Sequence, residues 1–234
     1  MELEYSKEAF LSGQLLLIDK PLEWTSFQLV NKIRWAIRKT YGIKKIKVGH
    51  AGTLDPLATG LMLICTGRMT KEIEKFMGME KIYTGSFRLG ATTPSFDLET
   101  EPTNKKEVRD YTMEELEQIC TSLSGDLMQA PPIYSAIKKE GKRLYTIARA
   151  GKTIDVPKRK VHVNEFIVTE RRLPDVSFKI SCSKGTYIRS LAHDYGQALG
   201  CGAYLAQLKR TAIGAYKLSE SLSLDEFLNA LERG

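Results

Sequence analysis

Residues 49–60 read Gly49-His50-Ala51-Gly52-Thr53-Leu54-Asp55-Pro56-Leu57-Ala58-Thr59-Gly60 and form the most informative stretch of this chain. The stretch contains three glycines and one acidic residue, Asp55, but no lysine or arginine. It lies between two segments predicted as strands, residues 44–48 and 61–66. Glycine lets a backbone approach another group closely, and Pro56 keeps Asp55 out of the helical conformation. Asp55 is therefore either an ordinary turn residue or a catalytic carboxylate acting as nucleophile or general base.

The composition favours a protein whose partner is a polyanion. The chain has 234 residues, a hydrophobic fraction of 42% and a formal net charge of +7. Its four cysteines and three histidines are scattered without metal-ligand spacing, so we expect no metal site and a reducing compartment. The N-terminus lacks an apolar signal core, and the longest apolar runs are too short to span a bilayer. We therefore expect a cytoplasmic protein with no membrane partner.

Strands and helices alternate irregularly, which favours a mixed sheet with packed helices over a doubly wound parallel sheet. Capping signals at Thr25 or Ser26, at Thr112 and at Ser223 mark three helix starts. Residues 205–213 have a mixed pattern that predicts no single element. Strands are predicted at 15–18, 44–48, 61–66, 81–89, 161–169 and 176–182, and helices at 27–41, 71–76, 112–125, 187–199 and 223–231.

The excess positive charge is concentrated in residues 138–160. This segment has nine basic and two acidic residues, a net charge of +7 that equals that of the whole chain. Basic residues interleaved with tyrosines suit a phosphate backbone with unstacked bases nearby, although a solvated lysine-rich insertion would look the same. A second basic face is formed by Lys32, Arg34, Arg38, Lys39, Lys44, Lys45 and Lys47.

Six blocks, in order over about residues 13–213, carry a resemblance to a known family. They are Asp19-Lys20-Pro21-x-x-x-Thr25-Ser26; Gly49-His50-x-Gly52-Thr53-Leu54-Asp55-Pro56-x-Ala58-Thr59-Gly60; Lys81-x-Tyr83 with Leu89-Gly90; Pro131-Pro132-x-Tyr134-Ser135-Ala136-x-Lys138; Cys182-Ser183-Lys184-Gly185-Thr186-Tyr187-Ile188-Arg189; and Gly200-Cys201-Gly202-Ala203 with Leu208-Lys209-Arg210. Together they resemble the TruB family of tRNA pseudouridine synthases.

The resemblance implies an α+β pseudouridine synthase fold, with a largely antiparallel mixed sheet flanked by helices. It implies one catalytic domain over residues 1–234, with a basic thumb inserted at about 126–160 that closes over the RNA. Many bacterial relatives continue into a small RNA-binding PUA domain, which this chain is expected to lack, either naturally or by truncation. The implied partner is the T stem-loop of tRNA, bound by a monomer without metal or cofactor.

The implied reaction isomerises the uridine at position 55 of tRNA by breaking its glycosidic bond, rotating the base and rejoining it through C5. The resemblance assigns the nucleophile to Asp55. It leaves open whether Asp55 attacks C1′, attacks C6 or drives glycal formation. Arg189 is expected to hold Asp55 ionised, and Tyr83 to stack on the flipped base or to take the C5 proton.

The other implied roles concern RNA binding and support of the loop. Lys20 secures the catalytic loop, with Gly52 and Pro56 as further structural support, and Asp97 positions Arg189. His50 fills the gap left in the RNA loop. The remaining expected substrate contacts come from Tyr187, Leu208, Lys138, Arg143 and Arg159.

Three positions depart from the family pattern. Ala51 stands where threonine is common, and Glu23 stands where glycine is common, which predicts a locally different turn. Thr93-Pro94-Ser95-Phe96 is unusual before Asp97.

Two other functions stay open: an RNA-binding module or tRNA folding chaperone without required chemistry, and a carboxylate-dependent hydrolase. The hydrolase is disfavoured because the Asp55 loop lacks a second acid.

Overall fold

The computed structural model of this chain describes residues 3–134, 138–139, 142–143 and 156–233. The chain divides into two compact units, the first made of Met1–Tyr83 with Lys209–Gly234 and the second of Thr84–Leu208. The expected single catalytic domain and the expected lack of a PUA domain stay predictions. Among the described residues, no helix has the length and apolar character needed to cross a membrane.

The described elements follow one another in an irregular α and β order. They are α1 (Lys7–Ser12), β1 (Leu15–Lys20), α2 (Ser26–Tyr41), β2 (Val48–His50), β3 (Ala58–Thr66), a 3-10 helix (Gly67–Glu72), α3 (Ile73–Gly78), β4 (Lys81–Leu89), α4 (Met113–Ser122), β5 (Gly125–Gln129), β6 (Lys138–Lys139), β7 (Lys142–Arg143), β8 (Arg159–Arg172), β9 (Asp175–Cys182), α5 (Ile188–Ala198), β10 (Ala203–Ile213), β11 (Tyr216–Lys217), a 3-10 helix (Leu218–Glu220), β12 (Leu222–Ser223) and α6 (Leu224–Arg233). Strands β4 and β10 each begin in one unit and end in the other.

The first unit has a mixed sheet. Strand β1 runs antiparallel to β3, with Leu15 opposite Cys65 and Lys20 opposite Gly60, and parallel to β12. The short strand β2 pairs antiparallel with β3 and brings His50 opposite Ile64. The catalytic-loop candidate, residues 51–57, therefore connects two neighbouring strands. This mixed and largely antiparallel pairing confirms the predicted fold class.

Helix α2 is specified by its ends and by its buried stripe. Thr25 caps it in a reciprocal capping box with Gln28, and Gly42 ends it in the left-handed conformation. Leu29, Ile33 and Ile37 are fully buried. The helix contacts β2 and α6, so it lies directly beside the loop that follows β2.

The second unit contains the antiparallel strands β5, β8 and β9. Its core is aromatic: the ring centroids of Phe87 and Phe178 are 4.3 Å apart, and Phe166 and Tyr195 pack around them. Helix α4 begins with the predicted capping box between Thr112 and Glu115. Helix α5 contributes the buried Tyr195 to this core, which fixes the helix that carries Arg189.

Two segments differ from their sequence predictions. Residues 44–48 were predicted as a strand, but only Val48–His50 forms one. Buried Ile46 and Val48 alternate with exposed Lys45 and Lys47 as in a strand, but pairing with β3 begins only at Val48, opposite Thr66. Residues 205–213, which had no clear pattern, belong to the eleven-residue strand β10. Its buried Arg210 breaks the alternation of apolar and polar residues that identifies a strand.

Candidate active site

Asp55 lies in a loop whose backbone is fixed on its N-terminal side by helix α2. The backbone N–H of Leu54 donates to the Ser26 hydroxyl at 2.9 Å, and that hydroxyl donates to the Leu54 carbonyl oxygen at 3.0 Å. Both residues are buried. The Asp55 carbonyl accepts from the N–H of Ala58 at 3.1 Å, which closes a turn. The half-buried Asp55 is therefore carried by a backbone with little freedom.

Lys20 fixes the loop on the other side of Asp55. Its buried Nζ donates to the carbonyl oxygens of Pro21 at 2.9 Å, Trp24 at 2.6 Å and Pro56 at 3.3 Å. Burial lowers the pKa of Lys20 to about 8, although the negative charges of Asp55 and Asp19 oppose this shift. These contacts are the ones that a supporting lysine needs, and they tie Pro56 to the turn after β1.

Glu23 belongs to the same turn. Its backbone N–H donates to the Pro56 carbonyl at 2.9 Å, and its φ angle is 64°. This left-handed conformation is the one that glycine adopts without strain. The turn therefore has the conformation that favours glycine, with glutamate in its place, and a turn that differs from that of relatives stays a prediction.

Arg210 is a third support, to which no role was assigned from the sequence. The side chain is 1% exposed, and it donates to the carbonyl oxygens of Leu61 at 2.7 Å, Gly52 at 3.1 Å and Thr53 at 3.5 Å. Gly60 has a φ of 107°, and a Cβ there would lie 2.3 Å from the Arg210 carbonyl oxygen. The motif Leu208-Lys209-Arg210 was visible in the sequence, but the target of a buried arginine depends on the fold.

His50 and Tyr83 also belong to the first unit. His50 ends β2, and its pKa is lowered by burial and by the positive charge of Arg210, while a hydrogen bond from the imidazole to the Gly52 backbone opposes the shift. The imidazole is therefore neutral at pH 7. Tyr83 lies near the start of β4 and is 8% exposed, so most of its ring is buried.

In the second unit, Arg189 and Asp97 form a buried ion pair. Arg189 lies in the first turn of α5, and its Nε is 3.6 Å from Asp97 Oδ2. Its Nη1 donates to the carbonyl oxygens of Tyr134 at 2.9 Å and Ser95 at 3.2 Å. Asp97 in turn accepts from the N–H of Glu99 at 3.0 Å. The structure thus brings together two residues that are 92 positions apart in the chain.

The unusual residues before Asp97 adopt a defined turn. Phe96 has a φ of 64° and stacks on the ring of His193 at 4.1 Å. The Ser95 hydroxyl donates to the Asp97 carbonyl oxygen at 3.1 Å. This turn fixes the backbone on both sides of the Asp97 side chain.

Tyr187 and Arg159 are also brought together in the second unit. The Arg159 guanidinium carbon is 4.5 Å from the centre of the Tyr187 ring, and the same side chain donates to the Gly185 carbonyl. The backbone of Tyr187 is held by the buried Gln129, which accepts from its N–H at 2.8 Å and donates to its carbonyl at 3.1 Å. Gln129 was not singled out from the sequence, because its partner lies 58 residues away.

The other predicted substrate contacts are less fully described. Leu208 lies on β10 and is half-buried. Lys138 and Arg143 face each other in register across the two-stranded β6–β7 ladder. Most of the basic segment, residues 140–141 and 144–155, lies outside the described residues. Within the described part of the chain, no three histidine, cysteine, aspartate or glutamate side chains are placed to hold a metal ion.

Comparison with known proteins gives matches along nearly the whole chain. A family model described as TruB family pseudouridylate synthase (N terminal domain) matches residues 38–188. A second, described as tRNA pseudouridylate synthase B C-terminal domain, matches residues 189–233. The chain is 49% identical over 226 residues to tRNA pseudouridine synthase B of Flavobacterium johnsoniae, covering 96% of this chain and 99% of that protein. It is 47% identical to the protein of the same name from Phocaeicola vulgatus, covering 96% and 95% of the two chains.

Solved structures with the same fold are more distant. A chain in the crystal structure of a Cbf5-Nop10-Gar1 complex is 26% identical with a TM-score of 0.71, and 94% of the present chain is covered. A chain in the structure of an H/ACA RNP bound to a substrate RNA containing 2′-deoxyuridine is 24% identical with a TM-score of 0.68, and 95% is covered. The present chain spans about half of each, 54%.

Proposed function

Because the chain belongs to the TruB family of pseudouridylate synthases, we propose that it isomerises the uridine at position 55 in the T loop of tRNA, with Asp55 as the nucleophile. The enzyme class, an isomerase that makes pseudouridine, follows from the family. The observation that supports the role of Asp55 is the anchoring of its loop. Ser26 holds the residue before Asp55, and Lys20 holds the residue after it. A nucleophile held in this way loses little conformational freedom when the substrate binds.

The charge near Asp55 favours a carboxylate that stays ionised. Burial lowers the pKa of Lys20 to about 8, and the negative charge of Asp55 opposes part of this shift. By reciprocity, the positive charge of Lys20 favours the ionised form of Asp55. Every route considered for this reaction, attack at C1′, attack at C6 or glycal formation, needs an anionic carboxylate at the start.

Arg189 supplies positive charge for the reaction, and Asp97 positions it. The supporting observation is the fixed geometry of Arg189 within its own unit, where one carboxylate and two carbonyl groups hold the guanidinium. Tyr83 stacks on the flipped uracil or accepts the proton released from C5. A stacked base gains about 1–3 kcal/mol on such a ring, which offsets part of the unstacking cost.

The remaining contacts bind and shape the RNA. Tyr187 closes the other side of the flipped base, Leu208 packs against it, and the neutral His50 fills the gap in the RNA loop. The protein acts as a monomer in the cytoplasm, and the reaction uses no metal or cofactor. Lys138, Arg143 and Arg159 of the basic thumb contact phosphates of the RNA. These contacts orient the T arm without reading its sequence.

The test is an assay with an unmodified T-arm stem-loop RNA carrying tritium at C5 of the target uridine. Isomerisation replaces the C5–H bond by a C5–C1′ bond, so each turnover releases the tritium to water. We expect release by the wild type and none by Asp55→Asn, which should still bind the RNA. Asp225→Asn, the same change at an exposed aspartate, is the control and should retain activity.

Other outcomes would contradict the proposal in distinct ways. If the wild type binds the RNA but makes no pseudouridine, the result would support an RNA-binding module or folding chaperone instead of an enzyme. Release of free uracil would indicate a hydrolase. Equal activity of Asp55→Asn and the wild type would remove Asp55 from the mechanism.

A further inference from the structure

Helix α2 has an exposed tryptophan on the face opposite its buried stripe. Trp35 is 54% exposed, whereas tryptophan is highly buried on average. The buried face of the helix is filled by Leu29, Ile33 and Ile37. Trp35 therefore contributes little to the core of its unit, and its ring is available to a partner.

Two lysines flank this ring. The Nζ atoms of Lys32 and Lys39 lie 5.2 Å and 5.1 Å from its centre. They occupy the positions three before and four after Trp35, which the helical period brings to the same side. Cation–π contacts at exposed sites are weak, so both lysines can leave the ring at little cost when a better anion arrives.

The surroundings of Trp35 select a polyanion. Residues 24–54 contain seven basic residues and no aspartate or glutamate. Only part of this charge is used internally: Arg34 donates to the Val48 carbonyl at 2.8 Å and to Asn31 at 2.7 Å. An exposed aromatic ring flanked by lysines is the combination that binds a single-stranded nucleic acid. The bases stack on the ring, and the phosphates contact the ammonium groups.

The position of Trp35 separates it from the reacting base. Ser26 begins α2 and holds Leu54, next to Asp55. Trp35 is nine residues further along the helix, about 14 Å along its axis. A uridine that reaches Asp55 is therefore too far away to stack on Trp35, so a base on Trp35 would belong to a different nucleotide.

We propose that Trp35 is a stacking platform for an unpaired nucleobase of the RNA outside the reacting uridine. Lys32 and Lys39 move from the ring to the phosphates that flank this base. The proposal rests on the proposed function only in taking the partner to be RNA. It adds a second contact that binds the RNA without taking part in the chemistry.

The test uses the full chain with Asp55→Asn, so that binding is measured without isomerisation. Trp24→Phe is added in the fluorescence experiment, because the chain has two tryptophans and Trp35 must be the only one. The probes are a short unstructured oligouridylate and a blunt RNA duplex with an equal number of phosphates. We expect the single strand to quench Trp35 and the duplex to leave it unquenched.

Affinity measurements separate stacking from charge. We expect Trp35→Ala to weaken oligouridylate binding about 5- to 150-fold, and Trp35→Phe, which keeps an aromatic ring, to lose less. Lys32→Ala with Lys39→Ala should reduce the slope of log affinity against log salt by about 1.4, from two phosphates on a single strand. Lys71→Ala with Lys75→Ala removes two exposed lysines elsewhere in the same unit and should leave the slope unchanged.

Equal affinity of Trp35→Ala and its parent would overturn the proposal, as would equal quenching by the duplex. A loss confined to the lysine variant would reduce the site to phosphate contacts and would also contradict stacking. Quenching of Trp35 by the single strand, together with a wild type that makes no pseudouridine, would reject the proposed function and support this inference.

Discussion

The hydroxyl of Ser26 and the backbone of Leu54 exchange two hydrogen bonds, one donated in each direction, at 2.9 Å and 3.0 Å. Ser26 is the first residue of helix α2, and Leu54 directly precedes Asp55. A single buried hydroxyl thus satisfies both polar groups of the residue before the proposed nucleophile.

Ser26→Ala should therefore lower both stability and turnover. It leaves a buried N–H and a buried C=O of Leu54 without this partner, which costs about 1–3 kcal/mol. We expect the free energy of unfolding in urea to fall by this amount and kcat for the T-arm substrate to fall with it. Ser122→Ala, at the exposed end of α4, should change stability by less than about 0.5 kcal/mol. Equal effects of the two substitutions would refute the anchoring role.

Asp97→Asn should show the cost of breaking a buried ion pair. The side chains of Arg189 and Asp97 are 3% and 6% exposed, so loss of the carboxylate leaves a buried guanidinium and destabilises by about 3–5 kcal/mol. The surface pair of Arg88 and Asp175, at 2.7 Å, offers a matched control. Asp175→Asn should cost about 0–1 kcal/mol. Thermal and urea unfolding of the two variants measure the difference, and similar losses would contradict it.

Lys20 should give the protein a stability that rises in alkaline solution. Burial lowers its pKa to about 8 from an ordinary value of 10.5, so between these pH values the unfolded chain binds the proton more strongly than the folded chain. Loss of this proton then favours the folded state, by up to about 3 kcal/mol between pH 8 and 10.5.

The measurement is the free energy of unfolding of the wild type minus that of Lys20→Met, across this pH range. The difference should increase with pH. Lys75→Met, at an exposed lysine, is the control, and its difference from the wild type should stay flat. A flat profile for Lys20→Met would mean that Lys20 titrates like an exposed lysine.

Glu23→Gly should stabilise the protein. Glu23 has a φ of 64°, and a residue with a Cβ in this conformation is strained by about 1–2 kcal/mol relative to glycine. The greater freedom of glycine in the unfolded chain offsets part of the gain, so we expect a net increase of about 0.5–1 kcal/mol. Glu23→Ala also removes the carboxylate but keeps a Cβ, and it should not stabilise. Similar effects of both changes would show that the charge of Glu23, and not its backbone, matters.

Local signals in the sequence were sufficient for most elements of the fold. Thr25 or Ser26 was expected to cap α2, and Thr25 does so. The capping boxes expected at Thr112 and Ser223 both form. Strands β1, β3 and β4 were visible as apolar or alternating runs. Strand β10 was missed because a buried arginine interrupts its pattern, and β5 was missed because its exposed Met128 and buried Gln129 reverse the usual placement of apolar and polar side chains.

The candidate site was predictable only in part. The loop around Asp55 was identified from its own composition, and Arg189 and Asp97 were identified through the family resemblance. Lys20 was named as a support of the loop through the same resemblance, but two other supports were missed, because Ser26 lies 28 residues from Leu54 and Arg210 lies 158 residues from Gly52. No local periodicity or spacing reports a hydrogen bond over such distances. These contacts are properties of the fold.

The attachment of Arg210 to Gly52, Thr53 and Leu61 has a consequence for synthesis of the protein on the ribosome. The arginine that holds the loop is translated about 150 residues after the loop itself. At about 5–20 residues per second, the loop waits roughly 8–30 s for Arg210 to be made. A nascent chain therefore lacks this support of its loop until Arg210 has been translated.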